Sequence, residues 1–242
     1  MSVDGRVAVG PDMTMFDPNP LVSVLPDESS LWDRISQAIE AEWHPGGAIF
    51  GSGTFIREND PVKDLPVFTG DTEILYEDYL PVDVVAKTQY WSVFIDGRGR
   101  GRSGYKGEPL GNHVIHVVSE SAPAEYMAFL RSKQIPYLVG GRDHADLHAA
   151  LSKLRSKLGV RVVCLMGGGT LNGVMIRERL VDEIHLVILP ALYGGRQTPT
   201  LVDCDVLTSG SALPVLELLS TQSEQNGLLW LHYRVHYKTL ET

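Results

Sequence analysis

Val162-Val163-Cys164-Leu165-Met166 runs directly into Gly167-Gly168-Gly169-Thr170-Leu171-Asn172-Gly173. An apolar, β-branched run followed by glycines and then a helical pattern reads as a buried strand, a tight turn and a helix. Strands that are apolar throughout are buried on both faces, so this stretch points to a parallel sheet covered by helices. The first amides of such a helix point past the strand end and, with the helix dipole, favour an anion there. Glycine removes the Cβ that would hold a pyrophosphate away from the backbone. The same residues also suffice for a plain strand–helix turn, so the anion reading needs support from elsewhere in the chain.

The surrounding pattern extends the alternation. Upstream, Val114 to Val118 reads as a strand, and Ser121, Pro123 and Glu125 mark a helix start with Tyr126, Phe129 and Leu130 inward. Pro136 to Val139 is a further strand. Leu147, Leu151, Leu154 and Leu158 fall at helical spacing, with Gly159 as the stop and a strand over 160–165 after it. Downstream, the glycine turn opens a helix through about Arg179, followed by a strand from Glu183 to Leu189. Residues 216–221, a turn at Asn226-Gly227 and residues 228–237 read as an antiparallel hairpin at the sheet edge.

The first half is less regular. Leu31, Ile35, Ala38 and Ile39 give one amphipathic helix, then Pro45-Gly46-Gly47 breaks the chain before the strand Ala48-Ile49-Phe50. Residues 57–82 and 97–112 are polar loops with Pro and Gly, long enough to suit a binding site. The expected fold class is α/β: a mostly parallel central sheet flanked by helices, with a C-terminal antiparallel hairpin. With no linker, repeat or low-complexity tract, residues 1–242 read as a single domain.

Composition narrows the function. The net charge of −9 argues against nucleic acid, which requires a basic surface, and against an anionic membrane. No stretch has the length of a membrane-spanning helix. The start of the chain lacks a signal-peptide pattern, so a cytoplasmic protein is expected. Cys164 and Cys204 cannot form a disulfide framework, and Cys164 reads as a small buried side chain in a reducing compartment.

Two further segments bear on the anion. Gly51-Ser52-Gly53-Thr54 is a second glycine turn after an apolar strand. Two such turns on one sheet face a single extended ligand at the carboxyl edge, which favours a dinucleotide over other anions. Asp96-Gly97-Arg98-Gly99-Arg100-Gly101-Arg102-Ser103-Gly104 follows the strand Ser92 to Ile95. Its three arginines would clamp a phosphate monoester, or else form a solvated loop. No metal is expected. His144 and His148 have helical spacing but lack the glutamate of a zinc helix, and His113, His116, His185, His232 and His236 read as structural. No G-x-S-x-G elbow offers a nucleophile.

Gly167 to Val187, with Gly-Gly-Gly-Thr-Leu-Asn-Gly and then Arg-Leu-Val-Asp-Glu-Ile-His-Leu, together with Pro190-Ala-Leu-Tyr-Gly-Gly, resembles the reductase domain of riboflavin biosynthesis. Ser2-Val3-Asp4-Gly5, Ala48 to Thr54 with Asp60-Pro61, and Phe94-Ile95-Asp96 are similar to that family's earlier motifs, in the same order. The resemblance implies a dihydrofolate-reductase-like fold, NADPH as cofactor, a homodimer, and hydride delivery to a C=N or C=O group of a small heterocycle. By position it implies that Thr54, Gly97 and the stretch from Gly168 through Gly169, Thr170, Leu171, Asn172 and Gly173 to Val174 contact the cofactor. Gly53 and Gly167 complete the two turns, and the loop of Arg98, Arg100 and Arg102 would then serve as a 2′-phosphate site, which the family pattern does not itself demand. Ser119 would lie near the adenine end, and Asp4 with the loop Glu58 to Pro61 would border nicotinamide and substrate. Asp4 is then the first choice of proton donor, followed by Glu58 or Asp60, with water as the alternative.

This sequence departs from the family pattern in three places. Met166 stands where a substrate-touching glutamate is usual, and methionine cannot hydrogen-bond a pyrimidine in that way. The first helix carries only Arg34 as a base for a substrate phosphate. The chain begins where the first strand should be ending, so either that strand is short or the true start lies upstream. The expected function is an NADPH-dependent reductase of a small heterocycle. The pyrimidine phosphate reductase of riboflavin biosynthesis is one alternative and a non-catalytic NADPH-binding module another.

Overall fold

The computed structural model describes residues 1–18, 21, 23–107, 111–208 and 211–239, with the backbone alone at 212. Residues 108–110 of the expected loop over 97–112 therefore lie outside the described residues. The chain divides into two compact units: Trp43–Met166, and Met1–Glu42 with Gly167–Thr242.

The unit Trp43–Met166 is built on five strands: β1 (Gly47–Gly51), β2 (Tyr90–Ile95), β3 (Asn112–Val118), β4 (Tyr137–Val139) and β5 (Val163–Leu165). Their order is β4-β3-β2-β1-β5, and every neighbouring pair is parallel. Gly51 lies opposite Ile95, Ile95 opposite Val117, and Ile49 opposite Leu165. The segments that follow β1, β2, β3 and β5 therefore all emerge on one edge of the sheet.

Helices α2 (Val82–Lys87), α3 (Ala124–Ser132) and α4 (Leu147–Leu158) flank these strands. Pro123 caps α3 with φ −59°, where its missing N–H costs nothing. Tyr126, Met127 and Leu130 are fully buried against Val118, Ala122 and Tyr137. Removing each such side chain from water contributes about 1.5–3 kcal/mol. Phe129, expected inward, packs only on the rim, and Met127 takes the inner position. Helix α4 starts where the Asp146 carboxylate accepts a hydrogen bond from the Ala149 N–H (2.9 Å), and it stops at Gly159. Within the expected loop over 57–82, a short turn at Glu73–Tyr76 buries Leu75.

The unit of Met1–Glu42 with Gly167–Thr242 contains α1 (Ser29–Trp43, through Glu42), α5 (Gly169–Arg177), β6 (Glu183–Ile188), β7 (Ala212–Ser223) and β8 (Leu229–Thr239). The three strands form a separate antiparallel sheet in the order β6-β8-β7. This corrects two expectations: β6 does not extend the parallel sheet, and the hairpin does not edge it. Glu183 and His185 alternate with Ile184 and Leu186, a period-2 pattern that suits an antiparallel sheet with one face wetter than the other. The expected turn is present, with the Glu224 N–H donating to Leu228 O (2.9 Å) and the Gly227 N–H to Glu224 O (3.0 Å). Leu31 and Ile35 of α1 are buried against Val187, Leu189, Leu228 and Trp230. Ala38, expected to face inward with them, is exposed. Residues 1–3 run beside the end of β6, with Ser2 bridged in parallel to Leu189, too briefly to form a strand. Among the described residues, no helix is long and apolar enough to cross a membrane.

Candidate active site

Within the unit Trp43–Met166, the expected residues Gly53, Thr54, Gly97, Ser119 and Met166 lie just past the carboxyl ends of β1, β2, β3 and β5. After β1 the chain turns through Ser52-Gly53-Thr54, and a Cβ added at Gly53 would meet nothing within 4 Å. Phe55 follows and packs edge-on against Phe50 and Phe94, fixing where this turn leaves the sheet. Met166, just past β5, is tied by its N–H to Ile49 O (2.9 Å) and leaves its side chain 56% exposed on the same edge. A thioether there offers a substrate apolar contact but no hydrogen bond of any strength.

The segment after β2 is ordered around a buried carboxylate. Asp96 is 1% exposed, and its side chain accepts hydrogen bonds from the Arg100 N–H (3.0 Å), the Gly101 N–H (2.7 Å) and the Tyr126 hydroxyl (2.8 Å). Burial, and then the neighbouring Asp96, push the Tyr126 pKa well above its usual value, so the phenol keeps its one proton and gives it to Asp96. His116 Nδ1 lies 2.8 Å from the same phenol oxygen and must therefore be the protonated ring nitrogen. Burial holds the His116 pKa down to about 4, so the ring is neutral. Sequence reasoning assigned no role to Asp96 or Tyr126. The signal was an acidic residue at the end of a β-branched strand, directly before alternating Gly and Arg.

The arginines on this loop are engaged. Arg98 forks onto Glu58, with Nη1 donating to Oε1 (2.9 Å) and Nη2 to Oε2 (3.0 Å). Arg100 donates to Glu58 Oε2 (3.1 Å) and to the main-chain oxygens of Arg57 (2.5 Å) and Glu58 (3.0 Å). Arg102 donates to Gly99 O (3.0 Å) and Lys63 O (2.6 Å). The loop is thus fastened to residues 57–63 rather than being loosely solvated. Glu58 and Arg98 remain 65% and 57% exposed, and such ion pairs contribute only about 0–1 kcal/mol. The Arg98 hydrogen bonds lower the Glu58 pKa below the usual carboxylate range. A carboxyl held ionised in this way is a poor proton donor. Asp60 accepts from the Arg57 N–H (3.0 Å) and is half-buried, next to exposed neighbours.

Ser119, at the end of β3, is fully buried. Its hydroxyl donates to Gly97 O (2.7 Å) and pairs with the Ser121 hydroxyl (2.8 Å), so it braces the Gly97 turn.

The glycine turn opens the other unit. Gly167 has φ +89°, which favours glycine, and no side chain caps the amides at the start of α5. Asn172 donates through Nδ2 to Leu201 O (2.8 Å), while its buried Oδ1 has no hydrogen-bond partner. Gly169 and Gly173 have a packing explanation. A Cβ on Gly169 would lie 2.3 Å from Asp203 Oδ2 and 2.4 Å from Thr200 O, and one on Gly173 2.6 Å from Asp203 O. The uncapped amides and the orphaned Asn172 oxygen fit a phosphate and a hydroxyl of a dinucleotide.

In the same unit, Asp4 accepts hydrogen bonds from the Ser2 hydroxyl (2.6 Å), the Tyr193 N–H (3.0 Å) and the Gly194 N–H (2.7 Å). The Ser2 bond first, then the two amides, lower its pKa to about 2. At neutral pH it is an anchor for the 193–194 loop, with no proton to give.

An open cleft of about 360 Å³ lies beside the amino ends of β1, β2 and β5, lined by Trp43, Gln89, Trp91 and Arg161 among others. Open parallel sheets take ligands at the opposite edge, so the site is assigned there. Glu183, His185 and His232 converge closely enough to hold a metal. The Trp230 Nε1–H donates to His185 Nδ1 (3.2 Å), which puts the His185 proton on Nε2, and His232 Nε2 meets Glu183 at 2.9 Å. His185 Nδ1, His232 Nε2 and Glu183 are thus already engaged in contacts between β6 and β8. His144 lies before α4 and His148 on it, so that pair does not share a helix face. Cys164, expected buried, is half-buried.

Among solved structures, a pyrimidine reductase-like protein from Corynebacterium diphtheriae superposes with a TM-score of 0.63, covering 98% of this chain and 90% of that one at 14% identity. RibD from Acinetobacter baumannii gives 0.58 over 97% of this chain and 55% of that one, at 18% identity. At these identities the likeness concerns the fold. Among curated relatives, 86 residues (36% of this chain) are 45% identical to a protein of Methanothermobacter thermautotrophicus named 2,5-diamino-6-ribosylamino-4(3H)-pyrimidinone 5′-phosphate reductase. A protein of the same name from Archaeoglobus fulgidus is 40% identical over 90 residues, 37% of this chain. These alignments span only 39% and 40% of the two relatives. Residues 1–230 match the model of the RibD C-terminal domain, and the chain belongs to that family.

Proposed function

We propose that the chain is an NADPH-dependent reductase of a small heterocyclic substrate, with a ribosylamino-pyrimidine 5′-phosphate as the substrate class. The reading is supported by the carboxyl edge of the parallel sheet, where one glycine turn and an arginine loop follow strands with matched ends, and, in the other unit, by the glycine turn that opens α5. Family membership and the reductase names of the relatives support it. When bound, the cofactor supplies a hydride to the substrate's C=N or C=O carbon. The chain's own part is orientation. Gly53, Thr54, Gly97, Gly167, Gly168 and Asn172 present backbone and amide groups to the dinucleotide, and Arg98 attracts its extra phosphate. Met166 offers an apolar contact to the heterocycle. With Asp4 held ionised and Glu58 tied to Arg98 where the extra phosphate would bind, the proton that completes the reduction comes from water.

The deciding experiment measures NADPH binding by calorimetry and then NADPH oxidation with the pyrimidine phosphate. Binding with turnover is expected. No binding would end the reading. Binding without turnover on any heterocycle tried would favour the non-catalytic module, for which Met166 in place of a substrate-bonding acid is the specific argument.

The face of the antiparallel sheet that carries Ile184, Leu186, Leu231 and Tyr233 continues onto β7 with Leu216 and Leu218, 42% and 51% exposed. That face and the family support a homodimer, which sedimentation would read as a doubled mass. A chain with only two cysteines suits a cytoplasmic, reducing setting.

A further inference from the structure

We propose that Glu58 is a built-in competitor for a phosphate monoester at Arg98 and Arg100, and thereby a specificity-determining residue. It sets how strongly the site prefers a phosphorylated over an unphosphorylated nicotinamide dinucleotide. The inference rests on the cofactor reading above.

A guanidinium fork binds carboxylate and phosphate with the same two parallel N–H bonds. Glu58 accepts that fork from Arg98 and a third bond from Arg100, so its carboxylate fills the place where phosphate oxygens would be received. Both Glu58 and Arg98 are more than half exposed, and the carboxylate can move into water at little cost. The receiving groups stay behind when it leaves. Arg100, 9% exposed, is held by the main-chain oxygens of Arg57 and Glu58, and Asp96 holds the amides of Arg100 and Gly101. Tyr126 in turn fixes Asp96.

A phosphate monoester brings three acceptor oxygens and a charge of about −1.5 to −2 at neutral pH, more than one carboxylate offers. It displaces Glu58. A ribose hydroxyl carries no charge and leaves Glu58 where it is. Glu58 therefore reduces the affinity for phosphorylated ligands by the cost of its own displacement and does not touch the affinity for unphosphorylated ones.

The test uses calorimetry on the full chain and on Glu58→Gln and Arg98→Met, with NADPH, NADH, adenosine 2′-monophosphate and adenosine as ligands. For Glu58→Gln, NADPH and adenosine 2′-monophosphate should bind about twofold to fivefold more tightly, with NADH and adenosine unchanged. Arg98→Met should weaken both phosphorylated ligands about tenfold or more, again without affecting the others. Unchanged or equally changed affinities across the four ligands would overturn the proposal. If neither dinucleotide binds but adenosine 2′-monophosphate does, in an Arg98-dependent way, the cofactor reading fails while the competition stands. If NADPH and NADH bind equally in all three proteins, the cofactor reading stands and the competition is wrong.

Discussion

At Asp4, three donors converge on one exposed carboxylate, and that convergence decides what the residue can do. A proton donor needs a pKa near the working pH, whereas Asp4 is held at about 2. Its structural task is to tie the Ser2–Gly5 turn to the amides of Tyr193 and Gly194. Asn presents one acceptor oxygen and sets an amide donor against a backbone N–H. Asp4→Asn should therefore displace the 193–194 loop and lower turnover by about tenfold through misplacement. The shape of the pH–rate profile should stay the same. Loss in the variant of a limb where the rate falls as the pH rises would instead make Asp4 the proton donor. The sequence singled out Asp4 as a candidate, but not the donors that hold its carboxylate ionised. Two of those donors are amides about 190 residues away.

The glycine-to-helix element separates two reasons for having no side chain. Gly53 faces open space, whereas Gly169 presses on Asp203 and on the backbone of Thr200. The same substitution should therefore have opposite outcomes. Gly169→Ala forces backbone to move and should cost about 1–3 kcal/mol in a urea titration. Gly53→Ala should leave stability within about 0.5 kcal/mol and act only on dinucleotide affinity, by keeping the ligand off the backbone. Equal destabilisation by both would show that the turn at 52–54 is itself tightly packed. The arginine loop makes the same point. Its composition allowed either a phosphate clamp or a wet loop, and only the partners at Asp96, Glu58, Arg57 and Lys63 decide that it is a fastened element with one exposed cation, Arg98.

Across the whole molecule, buried histidines tie stability to pH. Burial holds His116 down to about 4 from the usual 6.5, and His185 likewise through burial and then the charge of His232. The unfolded chain takes up these protons below 6.5 while the folded chain does not until about 4. Stability is thus fully present above 6.5, falls as the pH drops towards 4 and levels off below it. For His116 alone the loss approaches about 3 kcal/mol as an upper figure, at 1.36 kcal/mol per pH unit. Urea midpoints taken from pH 7 down to about 4 should trace this slope, and His185→Gln should flatten it. A midpoint constant over that range would mean that water reaches both rings.

The sequence by itself determined the parallel α/β core, its helix boundaries at Pro123 and Gly159, the hairpin turn at Asn226-Gly227 and the glycine turn that opens a helix after Met166. These are local matters: apolar runs, caps and left-handed positions act within a few residues. Only the tertiary structure decided that β6 joins the hairpin in a sheet of its own, because strand partners are chosen by which edge and face remain to be covered. Only it could show that Asp4 and Glu58 are ionised, that Ser119 is a brace and that Asp96 anchors the arginine loop. Each of those follows from a hydrogen bond or a charge brought in from far along the chain. Sequence pattern records which groups are available, and folding determines which of them meet.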